Sequence, residues 1–393
     1  MRPLNVMIVG GGIGGMTLSL CLAQQGHQVS IFERAVMDSD AGAGVQLSPN
    51  GARVLHSLGL ASALEGCAFL PQGGQFRHFR SGRLIAQTAL GAQVAERYGA
   101  PYYHIHRGDL HHLLLQAVKL SPNIVRHAGV SVDNFEQHGR GVEIKFSQGV
   151  QRGDLLVGAD GIHSTIRDLL WGAQPPHFTG QVAWRTLVPA ARLPKNRIRP
   201  MASVWWGPGK HFVHYYVRRG ELVNCVCVVE KSNWQVESWS SKGDYAELKK
   251  DFAGWHDDVQ HLIDQADHQS LYKWALYDRA PMSKWGKGRV TLLGDACHPT
   301  LPFMAQGAAM AIEDAAVLTA CVKSAAGVAE ALQRYEKLRR PRTAYVQRGS
   351  RRHARVFHLS GVGAWMRNLV AAKAGERTAS RLFAYDARAA TKF

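Results

Sequence analysis

The sequence lacks several features that would place it in a specialised class of protein. Its 393 residues include only six cysteines, and none of them forms a zinc-type CxxC pair. We interpret them as reduced thiols, with Cys225 and Cys227 as small core side chains on one face of a strand. No segment repeats at a fixed period, so a solenoid or propeller is excluded. No uncharged apolar stretch has the length needed to span a bilayer.

Acidic residues are scarce relative to basic ones. The chain has 47 Lys and Arg against 30 Asp and Glu, a formal net charge of +17 at pH 7. Residues 331–393 alone hold 15 basic and 3 acidic residues. Such a region either binds nucleic acid or an anionic membrane, or forms a solvated basic helical face that attracts anionic ligands. Because no nucleic-acid-binding motif accompanies the charge, we expect the second and predict neither nucleic acid nor membrane as a partner.

The length of the chain predicts two domains, or one domain with large insertions. Its composition, 46% hydrophobic and 20% charged, is that of an ordinary globular protein. The first apolar run is interrupted by glycines after residue 9, which is typical of a strand, turn and helix rather than of an export signal. We therefore expect a cytoplasmic protein, either a monomer or a homodimer.

A glycine-rich turn lies between the first strand and the first helix that the sequence predicts. The apolar run 4–9 predicts a buried parallel strand, 16–25 a helix and 27–32 a second strand. The turn, Gly10-Gly11-Gly12-Ile13-Gly14-Gly15, fits the dinucleotide-binding pattern G-x-G-x-x-G.

Each part of this pattern has a physical purpose. Gly10 permits the tight turn, Gly12 lets the backbone approach a pyrophosphate, and Gly15 lets the helix pack closely on the strand. The free N–H groups and positive dipole end of the helix then face the phosphates. Glu33, at the end of the second strand, is placed to accept hydrogen bonds from an adenosine ribose. The pattern predicts a dinucleotide site but leaves NAD and FAD as alternatives.

Two further motifs each place an aspartate at the end of an apolar strand. Residues 154–161 (DLLVGADG) end in Asp160-Gly161, and 288–299 (GRVTLLGDACHP) contain Gly294-Asp295. The carboxyl ends of parallel strands are where α/β folds bind ligands. Asp295 is therefore a candidate acceptor for ribityl hydroxyls. The helix that starts near Gly307 is a candidate to direct its positive end at a flavin ring.

The three motifs, in this order, resemble those of the class A, single-component FAD-dependent aromatic hydroxylases. GGGIGG with Glu33, GADGIHSTIR, and GDACHP followed by AQGAAMAIEDA carry the resemblance, which covers roughly residues 4–340. The finer sequence is most similar to salicylate, 3-hydroxybenzoate and 6-hydroxynicotinate hydroxylases. The resemblance implies an α/β fold: a Rossmann-like FAD-binding domain, an inserted antiparallel β-sheet substrate domain and C-terminal helices.

The resemblance also implies domain limits and cofactor contacts. The FAD-binding domain is expected at 1–70, 101–178 and 275–340, the substrate domain at 71–100 and 179–274, and a helical region at 341–393. FAD is expected as cofactor, with NADH or NADPH as co-substrate. Beside the glycines of the first motif and Ile13, the residues expected at FAD are Glu33, Arg34, Arg107, Val130, Asp160, Asp295, Gly307 and Ala308.

The stretch between the second and third motifs predicts an antiparallel sheet that covers the flavin. Within residues 211–216, strand alternation places His211 and Tyr215 on one face. The expected chemistry transfers oxygen from a flavin C4a-hydroperoxide to an electron-rich ring carbon, and a phenol reacts far faster as phenolate. A histidine can take that proton. We predict His211 as the base or its relay and Tyr215 as the residue that orients the substrate.

Other side chains are candidate walls of the substrate pocket: Gln46, Trp184, Arg185, Pro302, Phe303 and Met304. The glutamine at position 46 is similar to the 3-hydroxybenzoate branch of the family, whereas the nicotinate branch has histidine there. The apolar Phe303 stands where the nicotinate branch has histidine, which disfavours 6-hydroxynicotinate. His298 is interpreted as a positioning residue.

The predicted function is hydroxylation of a small phenolic or aromatic carboxylic acid, with that acid and O2 as partners. Two alternatives stay open. One is a monooxygenase for a bulkier quinolone- or indole-like substrate. The other is a basic nucleic-acid- or membrane-surface-binding protein that retains a flavin-like fold. A plain NAD dehydrogenase would leave Asp160 and Asp295 unexplained.

Overall fold

The computed structural model describes residues 2–36, 43–234 and 241–391. The strands are β1 (Asn5–Val9), β2 (Gln28–Glu33), β3 (Gly44–Leu47), β4 (Gly73–His78), β5 (Leu84–Ala89), β6 (Tyr103–His106), β7 (Ile124–Ala128), β8 (Val132–His138), β9 (Gly141–Phe146), β10 (Gly149–Gly153), β11 (Leu155–Gly158), β12 (His177–Pro189), β13 (Met201–Gly207), β14 (Lys210–Val217), β15 (Leu222–Glu230), β16 (Tyr272–Asp278) and β17 (Val290–Leu292). The α-helices are α1 (Ile13–Ala23), α2 (Pro49–Ser57), α3 (Ala61–Cys67), α4 (Ala92–Tyr98), α5 (Arg107–Leu120), α6 (Thr165–Trp171), α7 (Tyr245–Asp251), α8 (Asp257–Asp264), α9 (Gly307–Ser324), α10 (Val328–Phe357) and α11 (Gly361–Phe383).

A parallel five-stranded sheet, in the order β17–β11–β1–β2–β7, organises the first part of the fold. Its central strand β1 pairs in parallel with β2 and β11. The strands are short runs of buried apolar side chains because helices cover the sheet. The strands predicted before the glycine turn and before each aspartate are confirmed as β1, β11 and β17. Parallel pairing brings the carboxyl ends of all three to one edge.

A seven-stranded sheet, in the order β16–β12–β15–β14–β13–β4–β5, forms the second layer. The sheet predicted from the stretch between the second and third motifs is confirmed in β12 to β15, whose neighbours pair antiparallel. The pairing of β13 with β4 is parallel. One face packs on α7 and α8 around Phe212 and Phe252, and this core includes Cys225 and Cys227, as predicted. The other face is turned toward the site described below.

Three C-terminal helices pack against both sheets. α10 runs without interruption from Val328 to Phe357 with Pro341 inside it, so the expected limit at residue 340 falls within one helix. The division into domains stays a prediction. α11 packs on β5 and α2. Within the described residues, no helix is long and apolar enough to cross a membrane.

The basic C-terminal region is partly buried, which corrects the expectation of a solvated face. Arg339, Arg342 and Arg367 are all buried. Arg339 forms ion pairs with Glu313 and Asp314 of α9, and Arg342 forms one with Glu313. The Arg367 guanidinium lies 4.4 Å from the ring centroid of Trp206. Carboxylates and aromatic rings compensate for the lost hydration, and composition alone does not reveal such partners.

Candidate active site

The glycine turn between β1 and α1 allows two backbone segments to approach more closely than any side chain would permit. Gly10 has a φ of +108°, and a Cβ there would lie 2.3 Å from the carbonyl oxygen of Ala159. A Cβ on Gly15 would lie 2.0 Å from the carbonyl oxygen of Gly10. Gly12 is the N-cap of α1 and has open space beside it. The turn thus leaves the N–H groups of α1's first turn accessible to an anion.

Glu33 is fixed beside this turn by the backbone. Its two carboxylate oxygens accept hydrogen bonds from the N–H groups of Gly11 (2.7 Å) and Ala35 (2.9 Å). The Val130 N–H donates to the Glu33 carbonyl at 2.9 Å. Three of the residues predicted at FAD, Glu33, Arg34 and Val130, therefore lie together at one edge of the parallel sheet. None of the three lines the cavity that lies between the two sheets.

A cavity of about 600 Å³ opens next to the glycine turn and runs between the two sheets. Of the predicted cofactor residues, those that line it are Gly12, Ile13, Gly14, Arg107, Asp295, Gly307 and Ala308. The cavity therefore joins the first and third motifs, which are about 280 residues apart in the sequence. The first turn of α9 contributes Gly307, Ala308 and Ala311 to the same wall.

The two motif aspartates have different surroundings. Asp295 is exposed to the cavity, near Arg107. Asp160 is turned away from the cavity, which its neighbours Ala159 and Gly161 line instead. One oxygen of Asp160 accepts from the Ile166 N–H at 3.1 Å, and burial raises the pKa of this carboxyl. Asp160 therefore fixes the turn before α6, while Asp295 is available to a ligand.

A buried ionic network supports the cavity wall from behind. His298 Nε2 lies 2.6 Å from Asp314 Oδ2, and Arg339 Nε donates to Asp314 Oδ1, also at 2.6 Å. Arg339 and Arg342 bind the two oxygens of Glu313 at 2.7 and 2.9 Å. Although burial alone raises the pKa of Asp314, His298 and Arg339 lower it to about 2. His298 thus helps to anchor α9, while its role as a positioning residue beside the flavin stays a prediction.

The opposite wall of the cavity is the open face of the seven-stranded sheet. His211, Val213 and Tyr215 of β14 all line the cavity, in agreement with the predicted alternation. His211 contacts the rings of Phe303 and Phe357, with centroids 5.1 and 5.4 Å away. In these surroundings burial lowers the pKa of His211 well below its ordinary value. At neutral pH His211 is therefore a neutral imidazole.

Tyr215 is held by both of its neighbouring elements. Its ring packs on His104 with centroids 4.6 Å apart, and the Gln46 side chain lies close to its hydroxyl. Gln46 also accepts a 2.7 Å hydrogen bond from the hydroxyl of Tyr102. A Cβ at Gly44 would lie 2.5 Å from the Tyr215 ring, so a glycine is required there. Gln46, Tyr102 and Tyr215 thus lie together at the cavity wall.

Arg185 places a positive charge in the same cavity. Its side chain is buried, and its guanidinium lies 5.2 Å from the ring centroids of both Tyr272 and Trp274. Burial lowers the pKa of Arg185 to about 10, so it remains a cation at neutral pH. Trp184, also predicted as a pocket wall, packs instead in the core on the other face, where it donates to Asp251 at 2.9 Å. Neighbouring side chains on a strand point to opposite faces, so only one of this pair can reach the cavity.

The predicted Pro302, Phe303 and Met304 also line the cavity, but the sequence analysis missed much of its far wall. That wall includes His353 and Phe357 of α10, and Thr378, Leu382 and Phe383 of α11. The sequence analysis predicted a helical region at 341–393 but assigned none of its residues to the site. The helices of this region reach the site through tertiary packing, and no local motif signals such a contact.

The comparisons with known proteins agree with this geometry. Residues 3–350 match the family described as FAD binding domain. The chain belongs to this family. It is 44% identical over 361 residues to the 3-amino-4-hydroxybenzoate 2-monooxygenase PtnB3 of Streptomyces platensis, covering 91% of this chain and 89% of that protein. It is 35% identical to the 3-hydroxybenzoate 6-hydroxylase of Klebsiella oxytoca, over 94% and 92% of the two chains.

A solved structure gives the same result at the level of the fold. The chain superposes on Klebsiella pneumoniae HpxO, complexed with FAD and uric acid, with a TM-score of 0.85 and 29% identity, over 97% of this chain and 96% of that one. The predicted fold class, FAD as cofactor and the class of enzyme, an FAD-dependent aromatic hydroxylase, are confirmed. The roles of individual residues stay predictions.

The residues present fit FAD. Gly10 and Gly15 let backbone segments meet where no side chain would fit, and the space beside Gly12, at the first turn of α1, is open to a pyrophosphate. Arg107 adds a guanidinium suited to phosphate oxygens, and Asp295 a carboxylate suited to hydroxyl groups. These residues, with Glu33 near the ribose, would hold the cofactor.

Proposed function

We propose that this protein is an FAD-dependent monooxygenase that uses NAD(P)H and O2 to hydroxylate a small aromatic acid bearing a ring hydroxyl. One observation carries the proposal: His211 and Tyr215 line the same cavity as Gly12, Gly14 and Asp295. The proposed proton acceptor, His211, and the proposed hydrogen-bond donor, the Tyr215 hydroxyl, thus line the same cavity as the residues that fit the flavin.

When bound, the flavin takes electrons from NAD(P)H and activates O2 for attack by an electron-rich ring carbon. The residues of this chain prepare the ring for that attack. His211 accepts the proton of the ring hydroxyl, because a phenolate is a far stronger nucleophile than a phenol. Burial raises the pKa of Tyr215, which keeps its hydroxyl protonated as a hydrogen-bond donor.

Arg185 supplies the recognition of an acid. It is a buried cation whose planar guanidinium matches the geometry of a carboxylate. The guanidinium packs on the rings of Tyr272 and Trp274, which fix its orientation. A carboxylate can therefore bind it without the entropic cost of ordering the Arg185 side chain. Phe303 and Phe357 provide apolar walls for the ring and exclude water around His211.

The substrate that we propose to test first is 3-amino-4-hydroxybenzoate. Three similar proteins, 39 to 44% identical, are named for its 2-hydroxylation. An amino group beside the hydroxyl makes the ring still more electron-rich, which suits the proposed chemistry. Phe303 offers no polar group for a ring nitrogen, so 6-hydroxynicotinate is expected to be the poorer substrate.

The experiment measures NADH and NADPH oxidation by the FAD-loaded enzyme with a panel of aromatic compounds. The panel holds 3-amino-4-hydroxybenzoate, 3-hydroxybenzoate, salicylate, 6-hydroxynicotinate and a larger quinolone. We expect a hydroxybenzoate to accelerate oxidation and to yield a product heavier by one oxygen atom in mass spectrometry. Acceleration by the quinolone alone would favour the bulkier-substrate alternative. A purified protein that takes up no FAD would overturn the proposal.

A further inference from the structure

A chain of hydrogen bonds leads from the cavity wall to the protein surface. His211 Nδ1 lies 2.8 Å from His358 Nε2, and His358 Nδ1 lies 2.7 Å from Glu230 Oε1. Both imidazoles are buried, whereas the side chain of Glu230 is 55% exposed. The three residues come from β14, from the end of α10 and from the end of β15. The fold thus connects a cavity residue to solvent through a single buried ring.

The outer carboxylate fixes the protonation pattern of both rings. A carboxylate can only accept a hydrogen bond, so His358 Nδ1 must carry the hydrogen. Neutral His358 then has its lone pair on Nε2, which can only accept from His211 Nδ1–H. Neutral His211 is left with its lone pair on Nε2. Glu230 therefore makes His211 a base at one nitrogen and a proton donor at the other.

The surroundings disfavour a lasting positive charge on either ring. Burial lowers the pKa of His211 and of His358, and the charge of Arg367 lowers the latter further. Glu230 acts in the opposite direction and raises the pKa of His358. The other polar neighbour, the Gln181 amide, is 3.5 Å from His358 Nδ1. A proton that reaches His211 is therefore held at a high cost unless it moves on.

We propose that His358 and Glu230 conduct to solvent the proton that His211 takes from the ring hydroxyl of the substrate. The inference depends on the proposed function. The O–H bond of the substrate breaks and leaves its electron pair on oxygen, while an N–H bond forms at His211 Nε2. The proton on His211 Nδ1 passes to His358 Nε2, and the proton on His358 Nδ1 passes through the Glu230 carboxylate to water. His358 and Glu230 act through His211, so they are positioning residues.

The test follows proton release rather than turnover. FAD-loaded enzyme is mixed rapidly with 3-amino-4-hydroxybenzoate or 3-hydroxybenzoate in weak buffer, and a pH-indicator dye reports the released proton. In His358→Phe, which keeps a ring but has no proton-carrying nitrogen, we expect release to slow roughly tenfold or more. In Glu230→Gln the hydrogen bond can persist without the charge, so release slows by a smaller factor. Substrate affinity should change by less than about twofold in both variants.

Glu221→Gln is the matched control. Glu221 is an exposed glutamate next to the opposite end of β15, and its substitution should leave proton release unchanged. Steady-state kinetics add a second measurement: kcat falls in the relay variants while KM is maintained. A merely structural role would alter affinity and FAD content together. If His358→Phe loses FAD, the exposed Glu230→Gln variant decides.

The outcomes separate the relay from the proposed function. Wild-type rates of proton release in Glu230→Gln and in FAD-loaded His358→Phe would overturn the relay. So would stimulated NADH oxidation by the wild-type enzyme with no proton release. If no aromatic acid in the panel binds or stimulates oxidation, the proposed function itself fails.

Discussion

Two buried histidines, His298 and His358, each lie within hydrogen-bond distance of a carboxylate, and their surroundings give them opposite properties. His298 lies 2.6 Å from Asp314, and both side chains are buried. His358 lies 2.7 Å from Glu230, whose side chain is half-exposed. Arg339 adds a positive charge to the first pair at 2.6 Å, whereas the second pair leads through His211 to the cavity. Similar distances therefore do not imply a similar role.

Charge compensation explains the difference. Arg339 and Arg342 lower the pKa of Glu313 in spite of its burial, and His298 and Arg339 do the same for Asp314. Both carboxylates of the first cluster therefore stay ionised, and the cluster forms a fixed ionic network. At the second pair, burial lowers the pKa of His358 while Glu230 opposes it, so the ring is neutral yet able to pass a proton. One cluster stabilises α9, and the other suits transfer.

The largest expected effect comes from breaking the locked cluster. Arg339→Met should lower the free energy of unfolding by about 3–5 kcal/mol, because it leaves buried Glu313 and Asp314 without their main partner. Chemical denaturation of the FAD-free protein measures this change. Arg340→Met, one residue along α10, removes a partly exposed pair with Glu336 and should cost less than about 1 kcal/mol. Equal losses in the two variants would show that the network contributes no special stability.

The next largest expected effect is on the rate of hydroxylation when His211, the residue of the proposed relay that lines the cavity, is replaced. His211→Ala should leave FAD content unchanged but slow hydroxylation by about 100-fold, since it removes the proton acceptor. NADH oxidation should then yield hydrogen peroxide instead of product, which a peroxide assay and product analysis measure together. The exposed His138 provides the control, because His138→Ala should behave as wild type. Wild-type coupling in His211→Ala would contradict the assignment of the base.

The two clusters should also affect stability in different pH ranges. Unfolded histidine takes up a proton near pH 6.5, whereas native His358 does so only at lower pH. The unfolded state therefore binds more protons below pH 6.5, and the free energy of unfolding falls as pH decreases. In His358→Phe this fall should be shallower by up to about 1.4 kcal/mol per pH unit just below pH 6.5.

Asp314 acts in a lower range. Its pKa is lowered to about 2, so its contribution persists above the unfolded value near 4 and is lost between about pH 4 and 2. This second fall should be the same in His358→Phe and wild type. Urea denaturation at a series of pH values distinguishes the ranges. A change confined to the region below pH 4 would contradict the assignment to His358.

The sequence predicted one side of the site far better than the other, for a physical reason. A dinucleotide site depends on local geometry: Gly10 and Gly15 permit close backbone approach, and Asp295 follows directly after its strand. Such constraints leave a mark in a few consecutive residues. Strand alternation likewise placed His211 and Tyr215 on one face, because the period of a strand is fixed.

Partners that are distant in sequence were not predictable in this way. His358 lies 147 positions from His211 and adjoins it only because α10 ends against β14. From the sequence, Arg339 and Arg342 were predicted to lie on a solvated basic face, whereas in the structure both are ion-paired with Glu313. Trp184 and Arg185 are adjacent in sequence, and only the packed sheet determines which of them faces the cavity. These features depend on tertiary packing, which no local pattern encodes.

The smallest expected effect on stability concerns Asp295, which is compared with Asp314 of the ionic network. Asp295 lies in the same loop as His298, near Asp314, but it is exposed to the cavity instead of being locked in ion pairs. Asp295→Ala should therefore weaken FAD binding about tenfold or more, the effect of losing a charged hydrogen-bond acceptor. It should change the unfolding free energy of the FAD-free protein by less than about 0.5 kcal/mol. Fluorescence titration with FAD and denaturation of the FAD-free protein measure the two quantities separately. Asp314→Asn should instead lower stability whether or not FAD is present, so equal behaviour of the two variants would remove the distinction between a locked and an open carboxylate.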